Sequence, residues 1–390
     1  MNPHLSNGND FSNDLIDFTS QLVRIQSYSG QEGEAIRFIK SKMEALGYDE
    51  VTLDRYGNVI GRVGSGDRVI LFDSHIDTVQ VNDADLWEEP PFSGAIKNGY
   101  LWGRGSVDMK SGAAASVYAA AAAKANGHLD SKTVYVSCST FEEDCDGEAL
   151  KHILAGLKRK PNFAVICEPS ANHIAIGHKG KAQVIITTRG VSAHGSAPEK
   201  GRNAVYEMAE IIERVNRTNL DLMNKPGPYG TLVLSRISST SVSLNAVPSD
   251  CQIYIDRRMA VGETVEDIHH EMDGIISGKD ATWEIDTIRR VTWTGEEIVY
   301  HPLHTAWQID LDHPLSQAFI TACTEVQGNK PETFEFWDFS TNAVAVVSQG
   351  IPAIGFGPGE HKLAHMRDEK VPVSQVVEAC AVYEKAIKNL

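Results

Sequence analysis

Histidines and carboxylates stand just after apolar, strand-like runs in this sequence, where they could hold a hard cation and move protons. In Leu71-Phe72-Asp73-Ser74-His75-Ile76-Asp77-Thr78-Val79 a histidine and an aspartate lie two residues apart at a strand end. In extended backbone, positions i and i+2 face the same side. Asp77 can therefore accept a hydrogen bond from one imidazole nitrogen and leave the other free for a metal. Alone, a His-x-Asp is more often a surface or capping pair.

Other segments add donors of the same kind. Trp102-Gly103-Arg104-Gly105-Ser106-Val107-Asp108-Met109-Lys110-Ser111-Gly112 precedes an alanine-rich run. It lacks the third glycine of a dinucleotide fingerprint and the Gly-Lys-Ser/Thr of a P-loop. It reads as a tight turn that sets Asp108 at a helix start, its glycines letting backbone approach closely. Glu142-Glu143 follows a strand pattern, and paired carboxylates suit a cation plus a general base. Glu168 follows another strand pattern, and His365 lies in a loop after Gly355-Phe356-Gly357-Pro358-Gly359. Two His, one Asp and two Glu at one sheet edge match a catalytic zinc-type site rather than a structural cysteine site. A shared carboxylate with two further donors on each side would hold two metals about 3.5 Å apart, the arrangement of metal-assisted hydrolases.

The elements that must position these groups are legible from periodicity. Phe11, Leu15, Phe18, Leu22 and Ile25 recur at helical spacing after ten polar, frayed residues. Ile36, Ile39, Met43 and Leu46 do the same until Gly47 stops them. Short β-type runs follow at 51–53, 59–63 and 68–72. The run after Lys110 is helix-forming, 134–140 and 163–167 read as strands, and 148–157 reads as a helix. Alternating strands and helices indicate an α/β domain. From 182 the order becomes strand 182–188, helix 203–215, strands 231–237 and 249–257, helix 265–276 and strand 282–288. That β-α-β-β-α-β order is ferredoxin-like. A Trp/His-rich connection over 293–313 leads back to α/β texture: a helix from Leu315, the segment 351–356 and a closing helix from Val373. The expected fold is a three-layer α/β catalytic domain with a mixed sheet (1–178 and 293–390), interrupted by an α+β domain over 179–292.

Composition narrows the function classes. The 390 residues carry 52 acidic against 36 basic groups, a formal net charge of −16. So negative a surface disfavours nucleic acid and anionic membranes as partners. The N-terminus has neither a basic start nor an apolar stretch, so no secretory signal is read. The run 113–123 is too short to span a bilayer. Cysteines 138, 145, 167, 251, 323 and 380 form no Cys-x-x-Cys pair, which suits free thiols in a reducing cytoplasm.

On these motifs the sequence resembles the di-zinc amidohydrolase and metallopeptidase family of acetylornithine deacetylase, succinyl-diaminopimelate desuccinylase, aminoacylase and glutamate carboxypeptidase. The likeness runs from about residue 14 to the C-terminus. It rests on His75-x-Asp77-Thr-Val, Trp87…Pro91-Phe92, Gly103-Arg-Gly-x-x-Asp108-Met-Lys, Glu142-Glu143, Glu168-Pro and Ala-His365-x-x-x-Glu369. Glu142-Glu-Asp-Cys-Asp-Gly, Ala-His194-Gly-Ser-Ala-Pro-Glu, Ile-Asp-Arg-Arg and Phe-Ser-Thr-Asn look closest to a selenium-metabolism-linked hydrolase subgroup.

The resemblance implies Asp108 as bridging carboxylate, His75 and Glu168 completing one metal, and Glu143 and His365 the other. It implies Glu142 as general base, Asp77 as the residue that orients His75, and a cis peptide after Asp108. The cofactor would be two divalent ions, zinc first, with cobalt or manganese also suited. The inserted domain resembles a lid and dimerisation domain. Its His194 would reach the partner's site in a homodimer, and Asn245 and Arg258 would bind the substrate, with Arg257 as the competing choice. His361 competes with His365, whose context fits better. Asn342 stands where the family often has Asp, which removes a charge near the expected pocket. The implied reaction is hydrolysis of the amide bond of a small N-acyl amino acid or dipeptide-like molecule. A dipeptidase, a carboxypeptidase, a carbamoyl-amide hydrolase or a catalytically silent metal-binding protein are the alternatives.

Overall fold

The computed structural model describes residues 8–241 and 243–390. A mixed nine-stranded sheet forms its larger part, in the order 50–53, 59–64, 132–139, 68–75, 163–166, 353–355, 175–178 and 307–308, with 335–337 also pairing 175–178. The four central strands, Lys132–Ser139, Arg68–His75, Phe163–Ile166 and Ala353–Gly355, run parallel. Arg68–His75 and Lys132–Ser139 are buried on both faces after their first residue, which is why Val69–Phe72 and Val134–Val136 are unbroken apolar runs rather than alternating ones. Parallel strands bring their C-terminal ends to one edge, where open α/β sheets carry their sites.

Helices Gly8–Arg24, Ser111–Ala125, Pro314–Gln327 and Val373–Asn389 pack on one another against this sheet. The alanine-rich helix is buried from Ser111 to Ala123; its small side chains let neighbouring elements approach closely. Helices Glu148–Gly156 and Ala343–Val347 form a second group against the central strands.

A second antiparallel sheet has the order 231–238, 250–259, 180–189, 281–285, with the short strand 303–304 on 180–189. Helices Ala204–Met223 and Val265–Ile276 cover it. Numbering the strands along the chain, the order 2-3-1-4 with β-α-β-β-α-β connectivity is the ferredoxin-like arrangement. Its core, including Val184, Ile186, Met208, Ile211, Ile253 and Met272, is separate from that of the large sheet.

Several elements differ from the reading of the sequence. The helix expected over 203–215 runs to Met223, because Leu222 is buried beyond the polar stretch Asn216–Asn219. The strand expected over 282–288 ends at Ile285, and Ile288–Val291 starts a hairpin with Glu297–Tyr300. The supposed connection 293–313 thus holds three strands, 297–300, 303–304 and 307–308. Of the ten N-terminal residues expected to fray, 1–7 lie outside the described residues, and the first helix already includes Gly8. Among the described residues, no helix is long and apolar enough to cross a membrane.

Candidate metal centre

Each donor occupies the edge where the parallel strands end. His75 is the last residue of its strand, in register with Ser139. Glu142 and Glu143 follow the strand ending at Ser139, and Glu168 follows the one ending at Ile166. Asp108 precedes the alanine-rich helix, and the Asp108–Met109 peptide is cis. His365 lies beyond the strand Ala353–Gly355, with φ +60.

These side chains converge around Asp108. Its Oδ1 lies 2.8 Å from His75 Nε2, while its Oδ2 lies 3.2 Å from His365 Nε2. Glu143 stands 2.9 Å from His365 Nε2, and Glu168 Oε1 3.7 Å from His75 Nε2. Glu142 Oε2 is 3.9 Å from His75 Nε2. Two groups, His75 with Asp108 and Glu143, and His75 with Glu142 and Glu168, each bring their donor atoms within 4.8 Å of one another. His75 and Glu168 are buried, and His365 is half exposed at the rim of a cavity of about 280 Å³.

The electrostatics are those of crowded carboxylates. Burial, with neighbouring negative charge, pushes Glu142 and Glu168 well above the usual carboxylate range. Burial and Asp108 raise Glu143 to about 7. Burial opposes protonation of His75, but the hydrogen bond to Asp108 and the nearby carboxylates of Asp77 and Glu168 outweigh it and raise the imidazole. Hydrogen bonds to Asp108 and Glu143 lift His365 to about 10. Four carboxylates with two imidazoles fit bound cations, because buried negative charge needs pairing or a metal. The donors are nitrogen and oxygen without sulfur, the set that suits zinc, cobalt or manganese.

Beyond Asp77, the supports of this cluster were not assigned from the sequence. His75 Nδ1 meets the main-chain carbonyl of Asp77 at 2.9 Å, with the carboxylate Oδ1 farther off at 3.5 Å. That carboxylate instead accepts from the Glu142 and Glu143 amides (3.0 and 3.1 Å) and from Ser29 Oγ (2.8 Å). Thr140 is held by Asn58, and the Phe141 amide by Glu32, whose carboxyl burial and Asp77 push up to about 8. Glu369, wholly buried, accepts from Arg104 (2.6 Å) and from the Val107 and Asp108 amides (2.8 and 3.1 Å). The motif Ala-His365-x-x-x-Glu was the only sequence signal for it. Gly112 is required by close approach: a Cβ there would lie 2.3 Å from the Cys167 carbonyl oxygen, beside Glu168.

Of the expected substrate-binding groups, only Arg258 lines the cavity. Arg257 is buried in ion pairs with Glu263 and Glu271 (2.8 and 2.9 Å), so the two arginines separate cleanly. His194 and Asn245 are exposed next to one another: His194 bridges Ala246, and the Gly195 amide donates to the Asn245 carbonyl (2.6 Å). Neither lines the cavity. His361 lines it without joining the carboxylates, its ring lying against Phe339. Asn342 lies beneath the pocket, donating to Asp73 and Ser139 and accepting from the Gly147 amide (2.8, 2.9 and 2.7 Å). Its difference from Asp therefore bears on the support of the Glu142 turn, not on the cavity wall.

A mixed sheet with a nitrogen/oxygen cluster at its parallel-strand edge defines a metallohydrolase of the α/β class. The chain belongs to peptidase family M20/M25/M40, whose pattern matches residues 71–389, and it acts on amide or peptide bonds. It is 34% identical over 383 residues to YgeY of Escherichia coli, described as uncharacterized, covering 97% of this chain and 95% of that one. It is 30% identical over 391 residues to a succinyl-diaminopimelate desuccinylase of Cereibacter sphaeroides, covering 96% and 98%. The crystal structure of YXEP from Bacillus subtilis, a dinuclear metal-binding peptidase of the M20 family, superposes with a TM-score of 0.70 at 16% identity, covering 97% and 98%.

Proposed function

We propose that the protein hydrolyses the amide bond of a small N-acyl amino acid or dipeptide-like substrate at a centre of two divalent ions, zinc first. His75, Asp108 and Glu168 would hold one ion, and Asp108, Glu143 and His365 the other. The observation that carries this reading is the sharing of Asp108, one oxygen toward each histidine. The ions would supply Lewis acidity toward the amide carbonyl and acidify water.

The chain's own groups would do the rest. Glu142, raised by burial and nearby charge, takes a proton from the attacking water and returns it to the leaving nitrogen. Asp77 fixes the amides of Glu142 and Glu143, so the base keeps its place while it changes charge. Arg258 at the cavity wall suits a carboxylate through its planar fork. Residues 179–292 would act as lid and dimerisation domain. His194, exposed beside Asn245 and away from its own cavity, would then serve the partner's site by donating to the developing oxyanion. Lid closure would exclude solvent.

Replacing Glu142 with Ala tests the assignment. Turnover on a panel of N-acetyl, N-succinyl, N-carbamoyl and dipeptide amides is expected to fall on the order of 10²–10⁴-fold, with two metals retained by elemental analysis. Unchanged turnover would remove Glu142 from the mechanism.

A further inference from the structure

The turn that carries Glu142 and Glu143 is tied to the second sheet through one buried ion pair. Lys181 Nζ lies 2.9 and 3.2 Å from the two carboxylate oxygens of Asp146, and both side chains are at least nine-tenths buried. Lys181 belongs to the strand Gly180–Arg189, with Arg258 and His304 as its register partners on either side. Asp146 lies three residues past Glu143, and both Lys181 and Asp146 line the cavity that holds the metal-site carboxylates. Tyr300 lies under the ammonium with its ring centroid 5.7 Å away, and its hydroxyl is 3.0 Å from His304 Nε2.

A shift of Asp146 would be passed along the turn. The Cys145 amide donates to the carbonyls of Phe141 and Glu142 (2.9 and 3.1 Å), closing the backbone between Asp146 and the two glutamates. Asp77, Glu32, Asn58 and Asn342, which hold other groups of the turn, belong to the large-sheet part of the chain, and Arg290 of the hairpin strand Ile288–Val291 holds Asp144 (2.6 Å). Lys181 is the support that comes from the five-stranded sheet. A buried ion pair is weak evidence for stability, because desolvation offsets much of the attraction. Its geometry suits it to fix relative position instead.

We propose that Lys181, through Asp146, is a positioning residue for the reaction: it sets the Glu142–Glu143 turn by the placement of the second sheet. This rests on the reading that Glu142 is the base and Glu143 a metal ligand. The test compares wild type, Lys181→Arg and the double variant Lys181→Met/Asp146→Asn, which leaves no unpaired buried charge. In the metal-free protein, hydrogen exchange over residues 140–147 is expected to accelerate about tenfold or more in the double variant. Exchange in the helix Ser111–Ala125 should stay unchanged, and Lys181→Arg should match wild type. In the metal-loaded enzyme, kcat of the double variant is expected to fall by about ten- to a hundredfold with KM nearly unchanged, and Lys181→Arg to restore it.

Unaltered exchange in the turn, exchange that rises throughout the molecule, or a full kcat in an active background would each overturn the proposal. So would a Lys181→Arg enzyme as impaired as the double variant, and that enzyme keeps the charge needed to fold. If wild type hydrolyses none of the amides, the functional reading fails, while the exchange measurement still decides whether Lys181 positions the turn.

Discussion

Asp108 is the residue on which the cluster turns, and its own placement depends on Glu369. That buried carboxylate binds the Arg104 guanidinium and the amides of Val107 and Asp108 at once. Glu369→Ala leaves a buried guanidinium without its partner, a loss of about 3–5 kcal/mol for such pairs. It also frees the backbone that aims Asp108, for which metal affinity is expected to drop about 10- to 100-fold. Urea unfolding and metal titration of the variant measure the two effects separately. The candidate donors that the fold gathers around Asp108 were legible because His, Asp and Glu after apolar runs are a short list. Their supports were not: Glu32, Asn58 and Lys181 act across long stretches of sequence, and nothing local in the chain marks such a partner.

Among the elements, length decided what could be read. The strand Arg68–His75 and the helices Ser111–Ala125, Val265–Ile276 and Val373–Asn389 each bury a long enough face to leave a pattern. The two-residue strands 303–304 and 307–308 leave none, and Ala175–His178 is too short and glycine-broken to stand out. Yet that last strand carries a group with a measurable signature. His178 is fully buried in register with Trp307 and Trp337, and burial lowers its imidazole to about 4. Above pH 6.5 it is neutral in both folded and unfolded chains and costs nothing. As pH falls from 6.5 toward 4, the unfolded chain takes up the proton first, so stability is lost across that window, by at most about 3 kcal/mol. Denaturation of wild type and His178→Phe between pH 7 and 4 is expected to show a shallower decline for the variant. Parallel curves would mean that His178 is not held neutral.

Beside a small buried cluster of Phe141, Cys145, Ile298 and Tyr300, the described residues build two large cores. One lies under the sheet whose edge bears the carboxylates, and the other is the ferredoxin-like unit that supplies Arg258 and Lys181 to the same cavity. The change of texture near Gly177 was visible in the sequence because two separate cores impose two separate periodic patterns. The convergence of donors from 75 to 365 was visible only as chemistry, since the chain order of metal-site residues carries no spacing rule when the fold gathers them. Anomalous diffraction from zinc-soaked crystals tests that convergence most directly. Two peaks are expected, sharing the Asp108 carboxylate, one beside His75 and Glu168 and the other beside Glu143 and His365. A cluster that stays without metal in excess zinc, or a lone peak that leaves Asp108 unengaged, would contradict the account.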